Sequence, residues 1–149
     1  MGIPSTREFV LNNARAVALD VLLGVLRDGY SVDAVLAERT ATLTDARDGA
    51  FCRALVYGVL REHRRLAALR EQLLRSPLKS RDQDIALLIE LGLLQLLTLA
   101  VKPHAAVSET VAIAHQRRKA WAAKLVNAVL RRFQREQDVL LANADQKPA

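Results

Sequence analysis

Between Arg117 and Arg135 the chain carries seven basic residues, Arg117, Arg118, Lys119, Lys124, Arg131, Arg132 and Arg135, and no acid. On a helix, at about 100° per residue, Lys124, Arg131 and Arg135 fall within about 20° of one line. Asn127 lies beside them. A ladder of cations with a neighbouring amide can follow a phosphate backbone. An inert solvated face usually mixes charge signs, so the missing acids favour a polyanionic ligand. These eight residues, with Arg7 and Arg15 near the N-terminus, form the candidate nucleic-acid-binding set.

The other reactive side chains point to less. Arg61, Arg64, Arg65, Arg70 and Arg75 are diluted by Glu62 and Glu71 and read as a solvated helix face. His63, His104 and His115 show no metal-ligand spacing with one another or with Cys52. Cys52 is the one cysteine. It sits beside Phe51 and Val56, as an inert core thiol does. Glu90 lies inside an apolar run, and a buried carboxylate needs a partner: a backbone amide, an arginine or a solvated rim. There is no GxGxxG, no P-loop, no HExxH and no Ser/His/Asp set in a plausible context. No catalytic and no metal-binding residue is expected in this chain.

The elements that must position the cations are helices. Ile85–Val101 (IALLIELGLLQLLTLAV) holds only Glu90, Gln95 and Thr98 as polar residues. A helix apolar on nearly every side must be surrounded. A membrane span needs about 20 apolar residues and makes a mid-segment glutamate costly, so protein is the expected surrounding, with Pro103 as the stop. Asn12 or Asn13 caps a helix over ARAVALDVLLGVLRD, Gly29 ends it, and Ser31 caps a short helix VDAVLAER. Thr44 caps the next, whose Phe51, Cys52, Leu55, Val56, Val59 and Leu60 form one apolar face. After Pro103, Val107, Val111 and Ala114 share a face. A last helix spans about Lys119 to Asp138 with Trp121, Leu125, Val129 and Phe133 as its stripe. Gly24, Gly58 and Gly92 inside helices predict close helix–helix approach. Residues 1–11 read as a flexible leader, 12–138 as one helical domain, and 139–149 as a disordered tail or the start of a linker.

Composition agrees. The 149 residues are 51% apolar but 4% aromatic, with six glycines and four prolines. Leucine, alanine and valine dominate, which suits helices better than strands. The expected fold is all-α, a compact bundle of six to seven helices with short connections. Net charge is +6, which invites nucleic acid. A single cysteine excludes an internal disulfide. No targeting or anchoring segment is visible, so a cytoplasmic place is expected.

ARAVALDVLLGVL, AFCRALVYGVLR, ELGLLQLLTLAVKPHAAVSETVAIA and AKLVNAVLRRFQR, in that order, resemble the NusB-like domain over about residues 12–136. The resemblance is closest to the version at the N-terminus of the RsmB/Sun/Fmu family, enzymes that methylate carbon 5 of a cytosine in small-subunit ribosomal RNA using S-adenosylmethionine. It implies two packed helical subbundles and an accessory domain that positions ribosomal RNA for a catalytic domain in cis. Family members carry that domain afterwards, with a nucleophilic cysteine beside a proline. Cys52 follows Phe51 and no glycine-rich loop is present, so the resemblance implies no catalysis and no cofactor in this chain. S-adenosylmethionine belongs to the parent enzyme. The free-standing antitermination factor of the same fold, which regulates transcription by binding RNA together with a ribosomal protein, typically opens with an arginine-rich stretch, whereas this leader holds only Arg7 and Arg15. A third reading is a helical protein-interaction module that docks on its catalytic domain, on a ribosomal protein or on a second copy of itself.

Overall fold

Asn13 opens the first helix. Its backbone is extended, and its Oδ1 accepts the Arg15 backbone N–H at 2.8 Å, which satisfies one of the orphan donors of a helix start. The structure is a computed structural model and describes residues 13–98 and 101–146. Among them are six α-helices, one 3-10 turn and no strand. The helices are α1 (Ala14–Leu26), α2 (Val32–Thr40), α3 (Ala46–Leu73), α4 (Gln83–Leu97), α5 (Pro103–Gln116) and α6 (Ala120–Gln146), with the 3-10 turn at Ser80–Asp82. The fold is all-α, as the composition predicts. The chain divides into two units, Met1–Tyr57 and Gly58–Ala149. The leader 1–11 lies outside the described residues.

In the first unit, α1 is buried from Ala16 to Gly24 except at Asp20. Gly29 follows it at φ +78°, a conformation only glycine adopts freely, and stops the helix as its position predicts. Ser31 precedes α2 with no side-chain capping bond. The cap of α3 is Asp45 rather than Thr44: Asp45 Oδ1 accepts the Arg47 N–H at 2.8 Å. Both side chains can accept, but the carboxylate also complements the positive helix end. Cys52, Leu55 and Val56 are fully buried.

The second unit is built on α4, every residue of which from Asp84 to Gln95 is buried. The expected apolar rod is therefore real but shorter than Ile85–Val101. It ends at Leu97, with Thr98 as its cap and the Thr98 hydroxyl donating to the Leu94 carbonyl at 3.2 Å. Leu99 and Ala100 lie outside the described residues. Pro103 stands at the start of α5, where its missing N–H costs nothing. Two glycines let neighbours close in. A Cβ at Gly58 would lie 2.6 Å from Leu94 Cδ2, and one at Gly92 would lie 2.6 Å from Leu130 Cδ1.

The last helix departs most from expectation. Its buried stripe is Ala122, Ala123, Val126, Val129, Leu130 and Phe133, while Trp121 is 51% exposed. At this end of the helix Ala122 and Ala123, not the indole, face inward, while Phe133 fills the same stripe further on. The helix also continues through the expected disordered tail to Gln146, kinking at Glu136 (φ −119°, ψ 25°). Leu140 and Ala144 are buried there. Gln72 ties both sides of the kink to α3: its carbonyl accepts from Arg132 Nη1 at 3.4 Å, and its amide donates to the Leu140 carbonyl at 2.9 Å.

Candidate nucleic-acid interface

The basic run from Arg117 to Arg135 divides into two groups with different partners. Arg117 and Lys119 flank the start of α6 and are occupied by acids from the start of α4. Arg117 Nε donates to Asp84 Oδ2 at 2.7 Å, and Lys119 Nζ donates to Asp82 Oδ1 and Asp84 Oδ1, each at 2.9 Å. Asp84 is 5% exposed. Burial pushes its carboxyl pKa upward, but the Lys119 and Arg117 hydrogen bonds outweigh this and hold it below the ordinary value. Burial likewise pulls Lys119 down, and its bonds to Asp84 and Asp82 more than reverse that. Arg117 and Lys119 therefore clamp α6 to α4. The run, with its seven basic residues, contains no acid of its own. Its acids arrive from 33 to 37 positions earlier, a pairing that local sequence cannot display.

Arg132 is also engaged, with Glu136 Oε2 at 3.2 Å from its Nε and with the Gln72 carbonyl. Arg15 lies over the Phe51 ring at 5.0 Å, a cation–π contact within the first unit. Arg7 lies outside the described residues.

Lys124, Arg131 and Arg135 are all exposed on α6, and none takes part in an ion pair among the described residues. They precede the kink at Glu136, so the helical register that aligns them holds. Arg131 Nε donates to Asn127 Oδ1 at 3.1 Å, which steadies its guanidinium and leaves the remaining donors outward. Arg118 is exposed and adopts φ +59°. This gives a short cationic line on the outer face of α6, with the apolar stripe on the opposite face. Its members can bind phosphates without first breaking an ion pair.

Elsewhere the structure supplies one network that the histidine spacing concealed. Glu90 is fully buried, and its carboxylate accepts from His63 Nδ1 at 2.7 Å and from Arg70 Nε at 3.3 Å. An arginine is among the partners the sequence leads one to expect; the histidine is not. Bonding to Glu90 raises the His63 pKa, against the lowering effect of burial. Arg65 of the second basic set pairs with Asp145 at 2.9 Å. Cys52 is buried, and burial pushes its thiol up to about 11, too high for a nucleophile at neutral pH. No group of three or more metal-ligating side chains occurs among the described residues. No described helix is long and apolar enough to cross a membrane.

Residues 12–135 match the NusB family. The chain belongs to the NusB family. This NusB-family chain is similar to ribosomal RNA small subunit methyltransferase B of Pseudomonas putida, 39% identical over 136 residues, covering 91% of this chain and 31% of that protein. It is similar to the protein of the same name from Proteus mirabilis, 39% identical over 129 residues, covering 87% and 30%. A third, from Pseudomonas syringae, is 36% identical over 136 residues, covering 91% and 30%. The NusB-family chain thus spans about 30% of the length of these curated relatives.

Proposed function

We propose that this chain is the RNA-binding accessory domain of a small-subunit ribosomal RNA (cytosine-C5) methyltransferase, and that it positions ribosomal RNA for a catalytic domain lying outside these residues. The observation that carries the reading is the line Lys124, Arg131 and Arg135, exposed and without carboxylate partners among the described residues. Its setting in a NusB-family chain similar to proteins named as ribosomal RNA methyltransferases supplies the substrate class. Those names favour the methyltransferase reading over transcription antitermination. A cytoplasmic place of work follows from a ribosomal substrate.

The chemistry of methyl transfer is assigned elsewhere. We place S-adenosylmethionine with the catalytic domain as well; Cys52 here is buried, and burial raises its thiol pKa. What these residues do is hold the RNA backbone. Phosphate contacts fix register and orientation without reading sequence, which suits a domain that places a substrate for another domain to modify.

The test is RNA affinity measured against salt concentration. Removing three phosphate-binding cations together flattens the log–log slope by about 2 to 3. Replacing Lys124, Arg131 and Arg135 by alanine is expected to do this and to weaken binding at low salt. An unchanged slope in the triple variant overturns the proposal.

A further inference from the structure

Trp121 is the chain's one tryptophan, and it is 51% exposed on the second residue of α6. No hydrogen bond or ring contact engages it among the described residues. Helical geometry sets it about one turn, roughly 4.5 Å, before Lys124 and about 60° around from the cationic line. Side chains on a helix lean toward its N-terminus, so Lys124 leans toward the indole and the indole leans toward Arg118. Of its neighbours along the helix, Lys124 and Ala128 are exposed and Leu125, one turn on, is half-buried.

We infer that Trp121 is a stacking platform for an unpaired base, making this end of α6 a single-stranded RNA site in which Lys124 and Arg118 hold the flanking phosphates. The inference rests on the RNA-binding reading above and specifies which form of RNA is bound. An indole offers a π-face that any base can stack on, and cations beside it retain the backbone. A base in the interior of a duplex has both faces occupied by its neighbours and cannot use the ring, which leaves a duplex only its two end pairs. Charge selects RNA over a protein partner as the occupant. Arg118 stands three positions before the indole and Lys124 three after it, both exposed and without an ion pair among the described residues, while the Asp82 and Asp84 carboxylates that reach this end of α6 are taken by Arg117 and Lys119. A protein anchor would instead be expected within a broader apolar patch, and Trp121 is the one exposed large hydrophobic side chain on α6 before the kink among the described residues.

Because Trp121 is alone, its fluorescence reports directly on the site. The 149-residue chain is titrated with an unstructured single-stranded RNA dodecamer and with a duplex of the same length. Labelled-RNA anisotropy follows affinity in parallel. Saturable quenching by the single strand, and little by the duplex, is expected. Trp121→Ala should weaken single-strand binding about 5- to 100-fold, as base–aromatic stacking does, and Trp121→Phe should recover most of it. The exposed position lets both variants fold, which circular dichroism checks. Single-strand affinity unchanged in Trp121→Ala, or equal quenching by the duplex, overturns the inference. RNA bound through Lys124, Arg131 and Arg135 with an unquenched indole also overturns it and leaves Trp121 to a protein partner. Absence of any RNA binding removes the broader reading instead, so the two failures are distinct.

Discussion

His63 Nδ1 lies 2.7 Å from Glu90 Oε1, joining a half-exposed helix face to the one carboxylate in the middle of the apolar α4. Arg70 completes the arrangement at 3.3 Å. The glutamate is fully buried, and its two partners bring solvent-facing charge to it from α3. Glu90 can therefore sit in the core because α3 supplies a donor to each of its carboxylate oxygens.

The His63 pKa is raised in the folded chain, first by its bond to Glu90. A raised folded value means that the native state holds the proton more tightly than the unfolded chain. The associated stability is complete below the unfolded histidine value of about 6.5 and fades as pH rises through the folded value. Urea midpoints should fall across that window in the wild type, and His63→Gln should flatten the change. The group is 40% exposed, so solvent screening keeps the effect modest.

Removing the carboxylate itself is more severe. Glu90→Ala leaves a cavity and strips Arg70 and His63 of their acceptor. Loss of one partner of a fully buried pair costs about 3–5 kcal/mol. Here both partners reach solvent and can rehydrate, so about 1–3 kcal/mol is expected by denaturant unfolding, with Glu90→Gln milder because an amide oxygen still accepts. Equal stability of Glu90→Ala and wild type would contradict the described network.

The period of the apolar residues makes the helices legible in the sequence, and Glu90 is legible as an anomaly within one of them. Its partners are not, because His63 and Arg70 are 27 and 20 residues away and only packing brings them in. The same holds for Lys119: its local sequence is purely basic, whereas Asp82 and Asp84 meet it across the unit. Trp121 departs from expectation for a related reason. Hydrophobicity assigns an indole to the inner face, but the buried Ala122, Val126, Val129 and Phe133 set the register of α6 and leave Trp121 outside it. The helical tail is hidden because ANADQ has little apolar period, and its order depends on the distant Gln72 and Arg65.

Gly92 and Gly58 carry the next prediction. A methyl at Gly92 meets Leu130 Cδ1 at 2.6 Å, Cδ2 at 2.8 Å and Cγ at 3.2 Å, so the whole side chain must move. At Gly58 only Leu94 Cδ2 falls below 3.0 Å, and at Gly24 the nearest atom, Val35 Cγ1, is at 3.2 Å. Overpacking costs about 1–3 kcal/mol, against a helix-propensity gain of about 1 kcal/mol for alanine over glycine. Thermal unfolding should rank Gly92→Ala as most destabilised, Gly58→Ala next, and Gly24→Ala near neutral.

Asp84 predicts the acid limb of stability. Its folded pKa is depressed by Lys119 and Arg117 despite burial. The stability it contributes is present above the unfolded carboxylate value and is lost as pH falls through the folded one. Asp84→Asn should cost about 1–3 kcal/mol at neutral pH, since it leaves Arg117 and Lys119 short of an acceptor. It should also show a shallower loss of stability on acidification than the wild type, measured as unfolding midpoints between about pH 6 and about pH 3.

The two groups of cations on one basic run should separate in experiment. Lys119 is 24% exposed at its side chain and bonded to Asp82 and Asp84, so Lys119→Ala withdraws a buried carboxylate's partner. It should lower the unfolding temperature by several degrees, at about 2–4 °C per kcal/mol for a chain of this size, and leave RNA affinity in the folded protein nearly unchanged. Lys124 is exposed and unpaired with any described carboxylate. Lys124→Ala should leave the unfolding temperature within error, because an unpaired surface lysine contributes little to stability, while weakening RNA binding and reducing its salt slope by about 1. If Lys119→Ala instead abolishes binding without loss of stability, the Asp82–Asp84 clamp does not occupy that lysine in solution, and the interface extends to the start of α6.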